Sequence, residues 1–154
     1  MKTILSVDPG KVTGMSLLEW SEVREESPKK LFSWELDANE FADMLQENLS
    51  SWSSSNLVVV CERFTINAQT IRNSQSPFSL EQIGVLKYLC RVNGISPESI
   101  ILQSPADAKS MFPNEALKKL EIWHKGGEGH ANDSLRHALL RLVKMGWKPV
   151  HLLH

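Results

Sequence analysis

A run of consecutive apolar residues, Leu57-Val58-Val59-Val60-Cys61, limits what this chain can fold into more than any other segment. Its β-branched valines favour a strand, and the absence of polar alternation predicts that both faces of the strand are buried. Strands of this kind lie inside parallel or mixed sheets that helices cover on both sides. The run stops at Glu62, so a charged side chain ends the most hydrophobic strand predicted for the chain.

Three strands and a helix are predicted before this run. Residues 3–7 are apolar and end at a Pro-Gly turn, residues 13–20 form a second candidate, and residues 30–36 alternate between apolar and polar side chains. The short links between these segments favour an antiparallel meander. The helix that follows is predicted to use Asp37 as its N-cap, because apolar residues recur at helical spacing after it.

Beyond Glu62 the sequence predicts a polar, mobile loop over residues 65–76 and a helix over residues 79–92. The inward-facing residues of that helix are predicted to be Leu80, Ile83, Leu86 and Leu89. A fifth strand is predicted over residues 99–102, followed by helices over residues 106–111, 115–123 and 131–145. This order predicts an α/β fold, a five-stranded mixed sheet with helices on both faces. A length of 154 residues fits one domain, residues 1–154.

The cysteines and the hydropathy pattern bear on the cell compartment. Cys61 lies in the apolar run and Cys90 in a helical pattern, so we expect two buried thiols rather than a disulfide or a metal site. No stretch of about 18 apolar residues is present, and the N-terminal apolar segment is too short for a signal peptide. The sequence therefore predicts a cytoplasmic protein.

The charges are unevenly distributed along a chain whose net charge is −1. Residues 19–62 contain ten acidic and three basic side chains, whereas residues 63–93 contain one acidic and four basic ones. Residues 134–154 contain four basic side chains and no acidic one. A chain of this kind can present a basic face to nucleic acid while staying near-neutral overall, although the same counts also suit ordinary solvated surfaces.

Three carboxylates occupy positions where a buried charge is unfavourable. Asp8 follows the first strand, Glu62 ends the fourth, and Asp133 lies in the first turn of the last helix. Each alone is commonly a surface residue, and an aspartate in a first turn also favours the helix dipole. If strands one and four are neighbours, however, Asp8 and Glu62 repel each other unless a cation joins them. Clustered carboxylate oxygens select Mg²⁺ or Mn²⁺.

A histidine accompanies the last carboxylate. His130 precedes Asp133 by three residues, so both side chains can share one face near the start of the helix. It could be a metal ligand, a general base or a plain helix-entry residue. The chemistry that such a set serves is phosphodiester hydrolysis with two metal ions per active site, held about 4 Å apart.

Three motifs, in this order, resemble the signature of RuvC-like Holliday junction resolvases. They are Val7-Asp8-Pro9-Gly10 followed by Thr13-Gly14, then Val60-Cys61-Glu62-Arg63-Phe64, then His130-Ala131-Asn132-Asp133-Ser134-Leu135. Ser104-Pro105 followed by Lys109 is also similar to the family's segment after strand five, where a basic residue faces the scissile phosphate. Many relatives have aspartate at the position of His130, and histidine also occurs there.

The resemblance covers nearly the whole chain and implies several properties. The fold would be RNase H-like, the protein a homodimer, and the activity a metal-dependent cleavage of branched DNA such as four-way junctions, flaps or forks. The implied catalytic and metal-binding set is Asp8, Glu62, His130 and Asp133, with Lys109 as the basic catalytic residue.

Contacts to DNA phosphates are expected from basic side chains, which position a nuclease without reading its sequence. The candidates are Arg63, Arg72, Lys109, Lys118, Lys119, Arg136, Arg141 and Lys144. Phe64 is a candidate aromatic wedge at the branch point, or equally a core residue.

Two alternative functions are also compatible with the sequence. The Asp-x-Gly and Thr-Gly elements also resemble the phosphate-binding hairpin of sugar-kinase or Hsp70-like ATPases, although those proteins normally need two such domains and 154 residues supply one. The other alternative is a non-catalytic module that binds branched DNA on the same fold. Metal-dependent cleavage would separate a nuclease from such a module.

Overall fold

The computed structural model of this chain describes residues 1–53, 56–65, 67–68 and 76–152. Its described strands are β1 (Lys2–Asp8), β2 (Thr13–Trp20), β3 (Lys29–Leu36), β4 (Leu57–Glu62) and β5 (Ile101–Gln103). They form one sheet in the order β3-β2-β1-β4-β5. Strands β1, β2 and β3 pair antiparallel, while β4 joins β1 and β5 joins β4 in parallel. The predicted five-stranded mixed sheet is confirmed.

Helices cover both faces of the sheet, as predicted. The described helices are α1 (Ala38–Trp52), α2 (Ser76–Val92), α3 (Pro105–Met111), α4 (Asn114–Lys119) and α5 (His130–Lys144), with short 3₁₀ turns at Pro97–Ser99 and Val150–Leu152. Helices α1 and α2 supply Phe41 and Leu86 to the core on one face. Helices α4 and α5 supply Leu117 and Leu139 to the core on the other face.

Side-chain alternation along the two central strands explains why both faces need cover. In β1, Ile4 belongs to the core beneath α5, whereas its neighbour Leu5 belongs to the core beneath α1. In β4, Val60 belongs to the core beneath α5, and Cys61 belongs to the core beneath α1. Because side chains two residues apart share a face, Asp8 and Glu62 point to the side that α5 covers.

Helix α1 begins with a capping box, which confirms Asp37 as its N-cap. The Asp37 carboxylate accepts a hydrogen bond from the backbone N–H of Glu40 at 2.8 Å, and the Glu40 carboxylate accepts one from the backbone N–H of Asp37 at 3.0 Å. These contacts satisfy backbone donors that the first helical turn would leave unpaired. Phe41, Leu45 and Leu49 then form the buried face of the helix.

The prediction that Leu80 faces inward is wrong, because its side chain is 46% exposed. Helix α2 instead directs Ser79, Gln82, Leu86 and Cys90 toward the protein interior. These residues follow one another at intervals of three or four, which makes them one helical face, and Leu80 lies just beside it.

The predicted bounds of α4 and β5 differ from those in the structure. Helix α4 ends at Lys119 rather than at residue 123, because Glu121 has a φ of 60° and the chain leaves the helical region there. Strand β5 occupies Ile101–Gln103 rather than residues 99–102, since Pro97–Ser99 form a 3₁₀ turn. Most of the predicted mobile loop, residues 65–76, lies outside the described residues.

Both cysteines are buried free thiols, as expected. Burial raises the pKa of Cys61 and raises the pKa of Cys90 to about 11, so neither thiol is reactive at neutral pH. No helix in the described part of the chain has the length and apolar character needed to cross a membrane.

Candidate active site

The parallel pairing of β1 and β4 brings Asp8 and Glu62 together. Val7 lies opposite Cys61 in this pair, and the next residue along each strand is one of the two acidic residues. The two carboxyl groups are close enough that each shifts the pKa of the other, and Asp8 is only 8% exposed. The juxtaposition expected from the strand order is therefore present.

The start of α5 reaches this carboxylate pair because Gly14 has no side chain. Gly14 is the register partner of Asp8 in the antiparallel pair of β1 and β2. The backbone carbonyl of His130 occupies the space that a Cβ on Gly14 would fill. The first turn of α5 therefore lies directly on the sheet beside Asp8.

Glu35, at the end of β3, anchors the segment that leads into α5. Its carboxylate accepts hydrogen bonds from the backbone N–H of Glu128 at 2.8 Å and of Ala131 at 3.2 Å. Burial disfavours the charged form, but these hydrogen bonds outweigh it and lower the pKa of Glu35. Because Gly129, the N-cap residue, has no side chain, Glu35 supplies the acceptor that an N-cap side chain would otherwise provide. Sequence reasoning missed Glu35.

His130 contacts Asp8 from the first turn of α5. Its Nδ1 lies 3.3 Å from Oδ2 of Asp8, and its Nε2 lies 3.7 Å from Oε2 of the exposed Glu128. The hydrogen bond with Asp8 is the main reason that the pKa of His130 is raised, although burial opposes it. His130 therefore joins the carboxylate pair, as its place in the sequence motif suggested.

The ionisation of Asp8 is strongly disfavoured. Burial is the largest cause and raises its pKa well above the ordinary value, and the negative charges of Glu62 and Asp133 act in the same direction. The hydrogen bond with His130 opposes these effects without cancelling them. A carboxylate held in this way favours a proton or a cation beside it.

Asp133 is bound by an arginine from its own helix. The Nη1 atom of Arg136 donates to Oδ1 of Asp133 at 2.7 Å, its Nε donates to the carbonyl of Phe112 at 2.7 Å, and its Nη2 donates to the side-chain oxygen of Asn114. Arg136 was a predicted phosphate contact, which requires an exposed side chain. Its side chain is buried instead, and Arg136 is 7% exposed. Its position three residues after Asp133 was the signal that could have revealed the pair.

Sequence reasoning also missed His137, which contacts Glu62. Its Nε2 lies 3.4 Å from Oε2 of Glu62, and its side chain is buried. Burial disfavours the charge of Glu62, but hydrogen bonds with His137 and Asp8 and the positive charge of Lys109 lower the pKa of Glu62. The signal in the sequence was spacing: His137 follows Asp133 by four residues and His130 by seven, which puts all three near one helical face.

Lys109 lies at the edge of this cluster. It is exposed on α3 and lines a small crevice together with Glu62, Asp133 and His137. A larger groove of about 630 Å³ opens beside it. That groove is lined by Lys109, Pro113, Asn114, Glu115, Trp123, Glu128, Gly129, Asn132, Asp133 and Arg136. The groove gives a ligand direct access to Asp133.

Two predicted DNA-binding residues follow β4 directly. The backbone N–H of Arg63 donates to the carbonyl of Gln103 at 2.7 Å, which holds the chain beside β5, and the Arg63 side chain is exposed. Phe64 is half-buried. Arg72, the third predicted contact in this region, lies outside the described residues.

Two more of the predicted contacts, Lys118 and Lys119, lie on α4, and both are exposed. The ammonium of Lys118 is 3.6 Å from the carboxylate of Glu115 and 5.0 Å from the centre of the Trp123 ring. Lys119 is the last residue of the same helix. Because Glu115 and Trp123 also line the groove, Lys118 stands at its rim.

Two solved structures share this architecture. T. thermophilus RuvC in complex with Holliday junction substrate has a TM-score of 0.70 at 13% sequence identity, over 95% of this chain and 97% of that chain. The Thermus thermophilus RuvC structure has a TM-score of 0.71 at 13% identity, over 94% of this chain and 96% of that chain. This chain has the RuvC fold. The predicted RNase H-like architecture is thereby confirmed. No family model matches the chain, and no curated protein matches it either.

The ends of β1 and β4 and the start of α5 carry donor atoms of the kind that a hard divalent cation prefers. Carboxylate oxygens of Asp8, Glu62 and Asp133 are the ligands that Mg²⁺ and Mn²⁺ prefer, and His130 adds a ring nitrogen. Over the described ranges, however, no group of three or more His, Cys, Asp or Glu side chains forms a ready-made cation site. Asp133 forms an ion pair with Arg136, and His130 contacts Asp8. The donor chemistry fits a metal ion, and the Asp133 side chain would have to turn from Arg136 toward it.

Proposed function

We propose that this chain is a divalent-metal-dependent endonuclease that cuts Holliday junctions or other branched DNA. The observation that carries the proposal is the meeting of Asp8 and Glu62 at the ends of two parallel strands, with His130 contacting Asp8 from α5. Burial raises the pKa of Asp8 well above its ordinary value, so its negative charge is disfavoured. A cation bound beside this acidic pair would favour that charge. We also propose that residues 1–154 act as one domain, in the cytoplasm.

The proposed metal ligands are Asp8, Glu62 and Asp133, with Mg²⁺ or Mn²⁺ as the cofactor and two ions per active site. Bound divalent ions would supply the positive charge that stabilises a phosphodiester undergoing hydrolysis. His130 is proposed either as a further ligand or as a base. Its Nδ1 contact with Asp8 orients the ring, and its Nε2 is on the side of the exposed Glu128, where it could take up or release a proton.

Lys109 is proposed to bind the scissile phosphate. Its charge acts on Glu62, and it lines both the crevice at the carboxylates and the larger groove. An exposed ammonium in that position can pair with a phosphate while the carboxylates remain beside it. Other contacts to the DNA backbone are proposed for Arg63, Arg72, Lys118 and Lys119. Phe64 is proposed as the wedge at the branch point.

A homodimer is proposed as the working assembly. A four-way junction has symmetric strands to cut, and a two-fold dimer offers two matching active sites. Helix α2 supports this proposal, because it exposes Leu80, Tyr88 and Val92 at 46%, 57% and 55%. These residues lie at intervals of four or eight, which places them along one ridge of the helix surface.

A non-catalytic branch-binding module is the second candidate, and the Arg136–Asp133 ion pair favours it. Asp133 is a proposed metal ligand, but the buried guanidinium of Arg136 already lies 2.7 Å from its carboxylate. If the pair persists in the presence of Mg²⁺ or Mn²⁺, the fold would bind DNA without cutting it.

Labelled DNA separates these candidates. Four-way junctions, flaps and linear duplexes are incubated with the protein, with and without Mg²⁺ or Mn²⁺, and the products are resolved on a denaturing gel. A nuclease should cut branched DNA only when the metal is present. Binding of junctions without cleavage in either metal would favour the non-catalytic module, and hydrolysis of ATP without binding of DNA would favour the ATPase-like alternative.

A further inference from the structure

Glu62 has a neighbour, His137, to which none of the roles above assigns a function. His137 is a residue of α5 with a side chain that is 1% exposed. Its Nε2 lies 3.4 Å from Oε2 of Glu62. Because a neutral imidazole carries one N–H and one bare nitrogen, the tautomer of His137 decides whether it donates to this carboxylate or repels it.

Gln103 settles which nitrogen carries the hydrogen. The Nε2 atom of its amide lies 2.9 Å from the backbone oxygen of His137 and 3.1 Å from the ring Nδ1. The amide cannot be turned round, because its oxygen would then meet the backbone oxygen at that distance. The amide therefore donates to both atoms, Nδ1 acts as an acceptor, and the ring hydrogen is on Nε2, facing Glu62.

The fold holds Gln103, His137 and Glu62 next to one another. Glu62 lies opposite Gln103 in the parallel pair of β4 and β5, and α5 packs His137 against both. Across the described residues, the Oε1 atom of Gln103 has no hydrogen-bond partner, which is a cost in a buried position. The amide keeps this orientation because its nitrogen meets two acceptors on His137.

We infer that His137 is a positioning residue that donates its Nε2–H to Glu62 and fixes how this carboxylate is presented at the end of β4. Gln103 is the residue that fixes the tautomer of His137. The inference rests on the proposed function, in which Glu62 is a metal ligand. Hydrogen bonds to a ligating carboxylate orient it, and their loss typically costs about 10–100-fold in metal affinity or activity.

Two substitutions of similar size separate positioning from packing. His137→Leu fills the space without a donor, whereas His137→Gln keeps an amide donor. Calorimetric titration of the metal-free proteins with Mn²⁺ should show an affinity about 10–100-fold weaker for His137→Leu and a substantial recovery for His137→Gln. In the cleavage assay, the rate at saturating junction should fall for His137→Leu while the KM for DNA stays near the wild-type value. Circular dichroism checks that both variants are folded.

The tautomer is measured independently of any activity. In ¹⁵N NMR spectra of the metal-free wild-type protein, the His137 ring should carry its hydrogen on Nε2 and not on Nδ1, and Gln103→Leu should weaken that preference. A hydrogen on Nδ1, or wild-type Mn²⁺ affinity in His137→Leu, overturns the inference while leaving the proposed nuclease intact. A wild-type protein that binds Mn²⁺ but cuts no DNA overturns the proposed function instead, and the Mn²⁺ affinities and ring hydrogens still decide the role of His137.

Discussion

The Nδ1 atom of His130 lies 3.3 Å from Oδ2 of Asp8, although 122 positions separate the two residues along the chain. This contact joins the first turn of α5 to the end of β1. It also raises the pKa of His130, because the charged imidazole is favoured beside the acidic group. The same contact therefore stabilises the start of α5 and joins two residues of the proposed active site.

The stability of the metal-free protein should depend on pH through His130. The ordinary pKa of histidine, about 6.5, applies to the unfolded chain, and the folded value is higher. The stabilising contribution is therefore complete below about pH 6.5 and is lost as the pH rises through the folded pKa. Thermal unfolding in a chelator should show that His130→Ala lowers Tm more in mildly acidic than in alkaline buffer. The control is His151→Ala, at an exposed position near the C-terminus. An equal loss of Tm in both buffers would contradict this role of the Asp8 contact.

Asp8→Asn should remove cleavage while stabilising the metal-free protein. A carboxyl whose pKa is raised on folding contributes stability below its unfolded pKa and loses it as the pH rises, so Asp8 weakens the fold at neutral pH. The amide removes this effect, and Tm at pH 7 without metal should increase by a few degrees. Junction binding should stay within a few-fold, because it depends mainly on basic contacts.

Asp43→Asn is the matched control for Asp8→Asn, since Asp43 is exposed on α1. It should cut at the wild-type rate and show no gain in Tm. Added Mg²⁺ should raise the Tm of the wild type and of Asp43→Asn but not that of Asp8→Asn. Cleavage by Asp8→Asn at the wild-type rate would mean that the proposed active site is wrong.

The juxtaposition of Asp8 and Glu62 could be predicted from the sequence because it depends on local patterns. Two apolar runs each end at an acidic residue, and a neighbouring parallel arrangement of the runs aligns their ends. The bounds of β2 were also predicted as observed, since a Pro-Gly turn precedes it and a charged segment follows it. In both places the local pattern and the final packing agree.

Two contacts of the site could not be predicted because they come from tertiary packing. Glu35 reaches the start of α5 from β3, and Gln103 reaches His137 from β5. Nothing in the spacing of the sequence states which strand end faces which helix turn. The orientation of Leu80 was mispredicted for a related reason: periodicity identifies several apolar residues of α2, but the side that packs depends on what covers it.

Lys109→Met should slow cleavage more than it weakens binding. If the ammonium stabilises the phosphate at the reacting centre, its loss lowers the rate at saturating junction by about tenfold or more. Single-turnover cleavage measures this rate, and a gel-shift titration measures Kd on the same DNA. Lys118→Met is the control, because that ammonium lies near Glu115 and Trp123 at the rim of the groove. Equal losses of rate for both variants would remove the special role of Lys109.

Gly14→Ala should destabilise the protein and displace the start of α5. A methyl group at this position meets the backbone carbonyl of His130, which is not a flexible side chain that could move aside. Overpacking of this kind costs about 1–3 kcal/mol, measurable by urea denaturation. The cleavage rate should fall by more than the loss of folded protein explains, because His130 moves away from Asp8. Gly84→Ala is the control for stability: no described residue lies within 4 Å of its added Cβ, and an alanine inside α2 should be neutral or stabilising. A Gly14→Ala protein as stable as the wild type would show that the helix start can shift without cost.

Assembly of the protein should depend on the exposed ridge of α2. Tyr88→Glu places a charge among Leu80 and Val92, and a charge buried in an apolar interface is strongly unfavourable. Sedimentation velocity should therefore show a dimer for the wild type, free or on junction DNA, and a monomer for Tyr88→Glu at the same concentration. Val23→Glu is the control, because Val23 is 53% exposed but lies between β2 and β3. The monomeric variant should still nick a junction but should rarely cut both strands in one encounter, since each cut then needs a separate protein. A wild type that is monomeric both free and on DNA would exclude the proposed dimer and leave a single-cut nuclease.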